Sequence, residues 1–319
     1  MQAIRIHDYG DPGVLRCENA PEPTLLPRDV LIRVHGAGVN PADCQFRRGD
    51  YRAIAPLPMP AILGWDVAGT VAEVGPEAQG FRIGDPVFAL CQMGRDGAYA
   101  EFVAVQDAFV APAPASLSLI DAAAVPLAAL TAWQALFDLG QLRAGQSVLI
   151  HAGAGGVGSF AIQLARNAGV HVTATARSEN HALLHSLGAE SCIDYRDPRW
   201  AEALRDFDVV LDGAAGDARA RSWGVLREGG LLVAIAMPPA DPAEAAQHGR
   251  RAATAQVVPD GTRLREIAAM IDAGRLRVVI DSRYPLAQVA AAHARSESRQ
   301  ARGKIVLAVV TPDDAVGQS

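Results

Sequence analysis

Apolar and polar positions along the chain fall into two textures. Up to about residue 118, short apolar or alternating runs are broken by glycine and proline: Val30–His35, Val67–Val74 and Phe102–Val105. Period-two runs bounded by turn residues predict an irregular, mostly antiparallel β domain. From 119 to 274 apolar strands alternate with helical periodicity, the pattern of a parallel sheet built from βαβ units. The strands expected are Ser147–His151, His171–Ala176, Ser191–Ile193, Phe207–Leu211, Leu231–Ala236 and Ala255–Val258. Six such strands form a doubly wound sheet, so the fold class is α/β with a second, mostly β domain. After Gly274, Leu276–Ile280 and Lys304–Val310 read as strands around a helical stretch at Val289–Arg295. The expected division is therefore 1–118 with 275–319 as one domain and 119–274 as the other. The polar tail from Thr311 is expected to fray.

Composition agrees with a globular reading. Of 319 residues, 50% are hydrophobic and 20% charged, which excludes wholesale disorder; the length suits about two domains of roughly 100–200 residues each. A net charge of −6 argues against nucleic acid and leaves small anions to local sites. Lys304 is the only lysine in the sequence. Cys17, Cys44, Cys91 and Cys192 lie far apart, without the spacing of a zinc site, and are expected as free thiols in a reducing compartment. The N-terminus lacks the apolar stretch of a secretory signal. The apolar run Ala122–Trp133 contains Pro126 and falls short of the ~18 residues that span a bilayer. A cytoplasmic protein with no membrane partner is expected.

The chemistry concentrates at Val148-Leu149-Ile150-His151-Ala152-Gly153-Ala154-Gly155-Gly156-Val157-Gly158. A strand runs into a G-x-G-x-x-G formed by Gly153, Gly155 and Gly158, and a helix follows with Val157, Ala161, Leu164 and Ala168 on one face. Gly153 is expected to permit the tight turn, Gly155 the approach of a pyrophosphate, and Gly158 close packing of helix on strand. Free amides at the helix start supply the anion site. The alternative is a glycine-rich turn that binds nothing.

Cofactor choice turns on the end of the second strand, where an acidic residue would bond the ribose 2′-hydroxyl of NAD. Here Arg177 and Ser178 follow Ala176. A guanidinium and a hydroxyl suit a 2′-phosphate, which favours NADP(H). Glu179 counts against this, and Arg177 as a merely solvated loop residue is the other reading.

The chain as a whole resembles the medium-chain dehydrogenase/reductase superfamily, and within it the zinc-free quinone oxidoreductase branch with its enone and alkenal reductase relatives. The resemblance rests on Gly38-Val39-Asn40-Pro41-Ala42-Asp43, Ile62-Leu63-Gly64-Trp65-Asp66-Val67-Ala68-Gly69 and Phe81-Arg82-Ile83-Gly84-Asp85-Pro86-Val87. Leu130-Thr131-Ala132-Trp133, the glycine turn, Leu187-Gly188-Ala189, Ile193-Asp194-Tyr195, Gly229-Gly230 and Ala301-Arg302-Gly303-Lys304 continue it in order. It implies a Rossmann domain joined to a GroES-like catalytic domain, with the active site in the cleft between them. Zinc-dependent relatives place a cysteine at the position of Asn40 and Gly-His-Glu at Gly64-Trp65-Asp66, so no metal is expected. His35 and His151 are expected as packed or backbone-bonded core histidines.

The implied reaction is hydride transfer from NADPH to a quinone or to the β-carbon of an enone, with donors rather than a metal receiving the charge on oxygen. Which acceptor is natural stays open. Asn40 and Tyr51 are the catalytic candidates, the tyrosine as orienting group or proton donor. Asn40-Pro41 as a turn start and Tyr51 as a half-buried anchor are their bland readings. Another tyrosine common in quinone reductases is Gln45 here. By the same resemblance Thr131 belongs at the nicotinamide, Gly155, Gly156 and Val157 at the pyrophosphate, and Arg177, Ser178 and Tyr195 at the 2′-phosphate. Lys304 is read either as a cofactor neighbour or as a solvated strand start. The stretch from Pro238 to Ala253, with His248, Arg250 and Arg251, is read as a loop over the cleft or an exposed helix face. Relatives are commonly dimers joined through edge strands, for which Leu231–Ala236 or Ala255–Val258 would serve. A non-catalytic NADPH-binding structural or regulatory protein of the crystallin type is the alternative function.

Overall fold

In a computed structural model, which describes residues 1–309, the chain divides into two compact units. The first comprises 1–127, 259–273 and 280–309; the second comprises 128–258 and 274–279. The tail from Thr311 lies outside the described residues.

A mostly antiparallel sheet organises the first unit, in the order Ile280–Pro285, Lys304–Ala308, Asp29–Val39, Asp66–Val74, Pro86–Leu90 and Val110–Pro112, with Phe102–Gln106 also paired to Asp29–Val39. Among the described residues, only the Ile280–Pro285 and Lys304–Ala308 pair of this sheet is parallel. Arg16–Asn19, Gln2–Ile6 and Ala61–Ile62 form a smaller sheet. The residues after Asn40 do more than turn: Pro41–Arg48 is a helix with proline in its first turn, where a missing N–H costs nothing. Two segments that the pattern assigns to the second domain belong here by contact, 119–127 and the helix Gly261–Asp272. The Asp272 carboxylate accepts from the amides of Ala115 and Ser116 and from the Ser116 hydroxyl, which ties that helix to the first unit.

The second unit is a six-stranded, wholly parallel sheet in the order Ser191–Asp194, His171–Ala176, Ser147–Ile150, Phe207–Asp212, Leu226–Ala234 and Arg251–Thr254. This is the doubly wound order, whose reversal falls beside the first strand. Leu149, Val210 and Leu232 lie at its centre, and Trp200, Phe207 and Trp223 complete the cluster on one face. Full burial of each aliphatic side chain contributes roughly 1.5–3 kcal/mol.

Two expected strands are absent, for one shared reason. The edge strand is Arg251–Thr254, not Ala255–Val258, because the Gln134 carboxamide takes both the amide and the carbonyl of Val258. Likewise 276–279 is not a strand: the Gln163 carboxamide bonds the Arg277 amide at 2.7 Å and its carbonyl at 3.0 Å. In each case a side chain occupies the groups that a neighbouring strand would have paired. Leu226–Ala234 is an interior strand, flanked on both sides, so it cannot serve as an exposed edge.

The stretch from Pro238 to Ala253 is not a free loop. It holds the helix Pro242–Gln247 and most of the edge strand, His248 stacks on Trp223 with ring centroids 5.9 Å apart, and Arg251 Nε donates to the Gly229 carbonyl. The helical run Leu119–Leu139 is long and apolar enough to cross a bilayer, longer than the proline-interrupted pattern implies; 72% of its most apolar window is buried in the protein, as in a core helix.

Candidate functional site: a glycine turn and a buried amide

In the second unit the glycine turn leads from Ser147–Ile150 into the helix Gly156–Asn167. The left-handed position of the turn is Ala152, at φ 54°, rather than Gly153. Gly153 is required small for a different reason, since a Cβ there would lie 3.0 Å from the Ala174 methyl and 3.1 Å from Leu184. At Gly158 a Cβ would meet the Ala152 carbonyl oxygen at 2.4 Å, so the close approach is of the helix to the turn after the strand rather than to the strand itself. Gly155 caps the helix from an extended backbone. The first helical amides, of Gly156, Val157 and Gly158, have no intrahelical acceptor, and no side chain caps them among the described residues. Thr131 is buried on the helix Pro126–Trp133.

Beyond the second and third strands the structure brings Arg177, Ser178 and Tyr195 together. Arg177 Nε donates to the Tyr195 hydroxyl at 3.1 Å, and this bond raises the guanidinium's pKa further. Arg196, which the sequence pattern does not single out, joins them: it donates to Ser178 Oγ at 3.0 Å, to Glu179 at 3.3 Å and to both oxygens of Asp194. Asp194 is held well below the usual carboxylate range by those bonds and by the Ser178 amide. Glu179, the residue that counts against a phosphate, is thus partly neutralised by Arg196 and by Arg177 at 3.9 Å. The signal in the sequence was a second arginine two residues after the third strand.

His151 is buried, as expected, but its partners are hydroxyls rather than backbone: Nδ1 meets Thr175 Oγ1 at 3.1 Å and Nε2 meets Ser222 Oγ at 2.9 Å. Burial lowers its pKa to about 4. His35 is half-buried against Thr70. Asp212, at the end of its strand, receives the amides of Ala214 and Ala215 and the Arg219 guanidinium. Arg219 also donates to the carbonyls of Ala236, Pro238 and Pro239, fixing the chain beyond the fifth strand.

The first unit holds Asn40 in a buried polar cluster. Its Oδ1 accepts from Lys304 Nζ, its Nδ2 donates to Asp66 Oδ2 at 2.8 Å, and its backbone amide donates to Asp43 Oδ2 at 2.6 Å. Lys304 is 3% exposed, so it is no solvated strand start; Nζ lies 2.9 Å from Asp66 Oδ2 and 3.5 Å from the Val39 carbonyl. The other Asp66 oxygen accepts from the Leu127 amide at 2.6 Å. Gly38 makes room for this pairing, because a Cβ there would stand 2.5 Å from Asp66 Oδ2.

A directional chain approaches Asn40 from its other side. Glu297 accepts from Arg47, and Arg47 NH1 lies 3.2 Å from His293 Nδ1. Guanidinium only donates, so Nδ1 is the acceptor and Nε2 carries the hydrogen given to the Tyr99 oxygen at 3.2 Å. Tyr99 lies against the carboxyl group of Asp43, whose Oδ1 has no well-formed hydrogen bond among the described residues. Burial, with Asp66 nearby, raises Asp43 to about 7 against the opposing pull of the Asn40 amide and Lys304.

Tyr51 follows the Pro41–Arg48 helix. Its hydroxyl donates to Gln45 Oε1 at 3.0 Å, and its ring lies 4.7 Å from that of Phe46. Gln45, where the resemblance implies another tyrosine in quinone reductases, is thus the hydrogen-bond partner of Tyr51. Partial burial and Asp50 raise the Tyr51 pKa, keeping the phenol protonated.

The donor set does not suit zinc. At the ligand positions of zinc-dependent relatives stand the Asn40 amide and Asp66, and an ammonium bonds both; a divalent cation there would meet that fixed positive charge. Among the described residues no group of three or more His, Cys, Asp or Glu side chains is arranged to hold a metal ion.

Comparison with known proteins gives the same lineage. Residues 26–115 match the alcohol dehydrogenase GroES-like domain family and 187–307 the zinc-binding dehydrogenase family. The chain is 35% identical to the 2-methylene-furan-3-one reductase of Solanum lycopersicum, over 96% of this chain and 79% of that protein. It is 34% identical to the NADPH-dependent alkenal/one oxidoreductase of Arabidopsis thaliana, over the same shares. The quinone oxidoreductase of Coxiella burnetii superposes with a TM-score of 0.89 at 34% identity, covering 97% of this chain and 99% of its own. With this likeness running through both units and no zinc ligand set at Asn40 and Asp66, the chain belongs to the medium-chain dehydrogenase/reductase superfamily, in its zinc-free quinone oxidoreductase branch.

Proposed function

We propose that this protein is an NADPH-dependent reductase of quinones or α,β-unsaturated carbonyl compounds. The observation that carries this reading is the Asn40 amide, oriented by Lys304 and Asp66 at the position that a metal ligand takes in relatives that polarise substrate with zinc. A bound nicotinamide supplies the hydride; the protein has to position the acceptor and accommodate negative charge on its oxygen. A neutral amide donor is sufficient for a conjugated acceptor, since delocalisation already spreads the charge. Asn40 Nδ2 and the Tyr51 hydroxyl fill these roles, the tyrosine also being a protonated group able to give a hydrogen to the enolate or hydroquinone oxygen.

The cofactor would be held at its pyrophosphate by the amides of Gly156 and Val157, with Gly153, Gly155 and Gly158 giving the turn its shape and Thr131 near the nicotinamide. Arg177, Ser178, Tyr195 and Arg196 favour the 2′-phosphate, and with it NADPH over NADH: two hydroxyls and two guanidinium groups converge where an acidic residue would bind a ribose diol. For assembly, the Arg251–Thr254 edge is paired on one side only among the described residues and supports a homodimer formed by strand pairing.

Initial rates of NADPH and NADH oxidation against a small quinone and a conjugated enone test the proposal. Saturable turnover of either acceptor with a preference for NADPH is expected, and the better acceptor identifies the subclass. Tight NADPH binding without turnover of either would favour the non-catalytic alternative.

A further inference from the structure

We propose that Lys304 and Asp66 act through Asn40: the buried ammonium polarises the Asn40 carboxamide and, with Asp66, fixes which way it faces, so that its remaining N–H is a strengthened donor to substrate. The inference rests on the assignment of Asn40 as the substrate-contacting amide.

The orientation follows from donor and acceptor chemistry. An ammonium can only donate and an ionised carboxylate can only accept, so a flipped amide would set NH₂ against NH₃⁺ and C=O against COO⁻. All three side chains are buried, Asp66 is also held by the Leu127 amide, and the Asn40 backbone is held by Asp43. Asn40 is therefore constrained at its backbone and at both ends of its amide. Nδ2 carries two hydrogens and spends one on Asp66, leaving one with no acceptor among the described residues. A cation bonded to the amide oxygen draws electron density from nitrogen, and inside a protein such coupling strengthens the next hydrogen bond in the chain. Lys304 thus contributes positive charge to a developing oxyanion without touching it. The only lysine of a sequence otherwise basic through arginine stands where a compact ammonium, not a broad guanidinium, fits against Asn40 and Asp66.

The test is a double-mutant cycle between K304M and N40A, read as kcat with the better acceptor, the KM for NADPH, and the thermal midpoint. K304M and N40A are each expected to lower kcat at least tenfold with the NADPH KM unchanged, and the double variant to be no more than about twofold below N40A. Because K304M leaves Asp66 buried without its cation, D66N/K304M is made alongside it; the asparagine removes the charge and keeps one oxygen to accept from Asn40, giving up the acceptor of the Leu127 amide, and the same tenfold loss is expected. Retention of full turnover by folded K304M or D66N/K304M, or a Lys304 loss as large in the N40A background as in the wild type, overturns the inference while leaving Asn40 in place. Full turnover by N40A overturns the assignment of Asn40 and the inference with it.

Discussion

A Cβ placed on Gly158 would lie 2.4 Å from the carbonyl oxygen of Ala152, inside the closest approach that any real side chain makes. The helix and the turn meet there backbone to backbone, and the free amides of Gly156 and Val157 point where that contact sets them.

Gly158→Ala is therefore expected to lower stability by about 1–3 kcal/mol and to raise the KM for NADPH at least tenfold. Chemical denaturation and a fluorescence titration with NADPH measure the two effects. An unchanged affinity would show that the turn takes a methyl group without moving its amides.

Arg177→Ala and Arg196→Ala are expected to raise the KM for NADPH far more than that for NADH, by about 10–100-fold for the loss of a charge-assisted bond. Equal effects on the two cofactors would remove both residues from the 2′-phosphate. Arg196 is the sharper case: its loss also frees Glu179 and Asp194, so the NADPH penalty should exceed that of a lost donor alone.

Tyr51→Phe keeps the ring against Phe46 and removes the bond to Gln45. If the phenol meets substrate, kcat falls severalfold while the thermal midpoint barely moves. If Tyr51 is only an anchor, Tyr51→Phe is silent in the rate assay and Tyr51→Ala costs stability.

Buried groups give stability slopes of opposite sign. His151 and His293 have their pKa lowered from 6.5 to about 4 and about 3, chiefly by burial. The folded protein keeps them neutral while the unfolded chain binds protons, so their stabilisation is complete above pH 6.5 and lost as the pH falls toward 4 and below. Asp43, raised to about 7, works the other way: its contribution is complete below about pH 4 and lost as the pH rises to 7. With two histidines against one carboxyl, the thermal midpoint should rise from pH 4 to 6.5. Replacing Asp43 by asparagine should steepen the rise and His151→Gln should flatten it, by at most about 3 kcal/mol at the acid end; parallel profiles for all three proteins would refute the assignment.

The doubly wound sheet was legible because its strands are short apolar runs between turns, and five of the six expected strands form at those runs. The sixth failed at Val258, whose local apolar pattern says nothing of a glutamine 124 residues earlier that claims its backbone. Glycine spacing gave the location of the turn and expected Gly153 to permit it, whereas the positive φ falls at Ala152, since periodicity carries no φ angle. Asn40 was visible as an odd residue at a ligand position. Its network was not, because Asp66 and Lys304 reach it across 26 and 264 residues, and only the sheet register sets them together. Arg196 was marked only by its place two residues after the third strand, a weak signal among 28 arginines.

The burial of Lys304 also makes this protein a reporter of its own opening. Its ε-amine is shielded in the fold and the sequence has no other lysine, so an amine-selective reagent or a lysine-specific protease meets its one side-chain target only when the first unit opens. The rate of that single modification, followed by mass, would measure how often the Asn40 cluster is exposed to water.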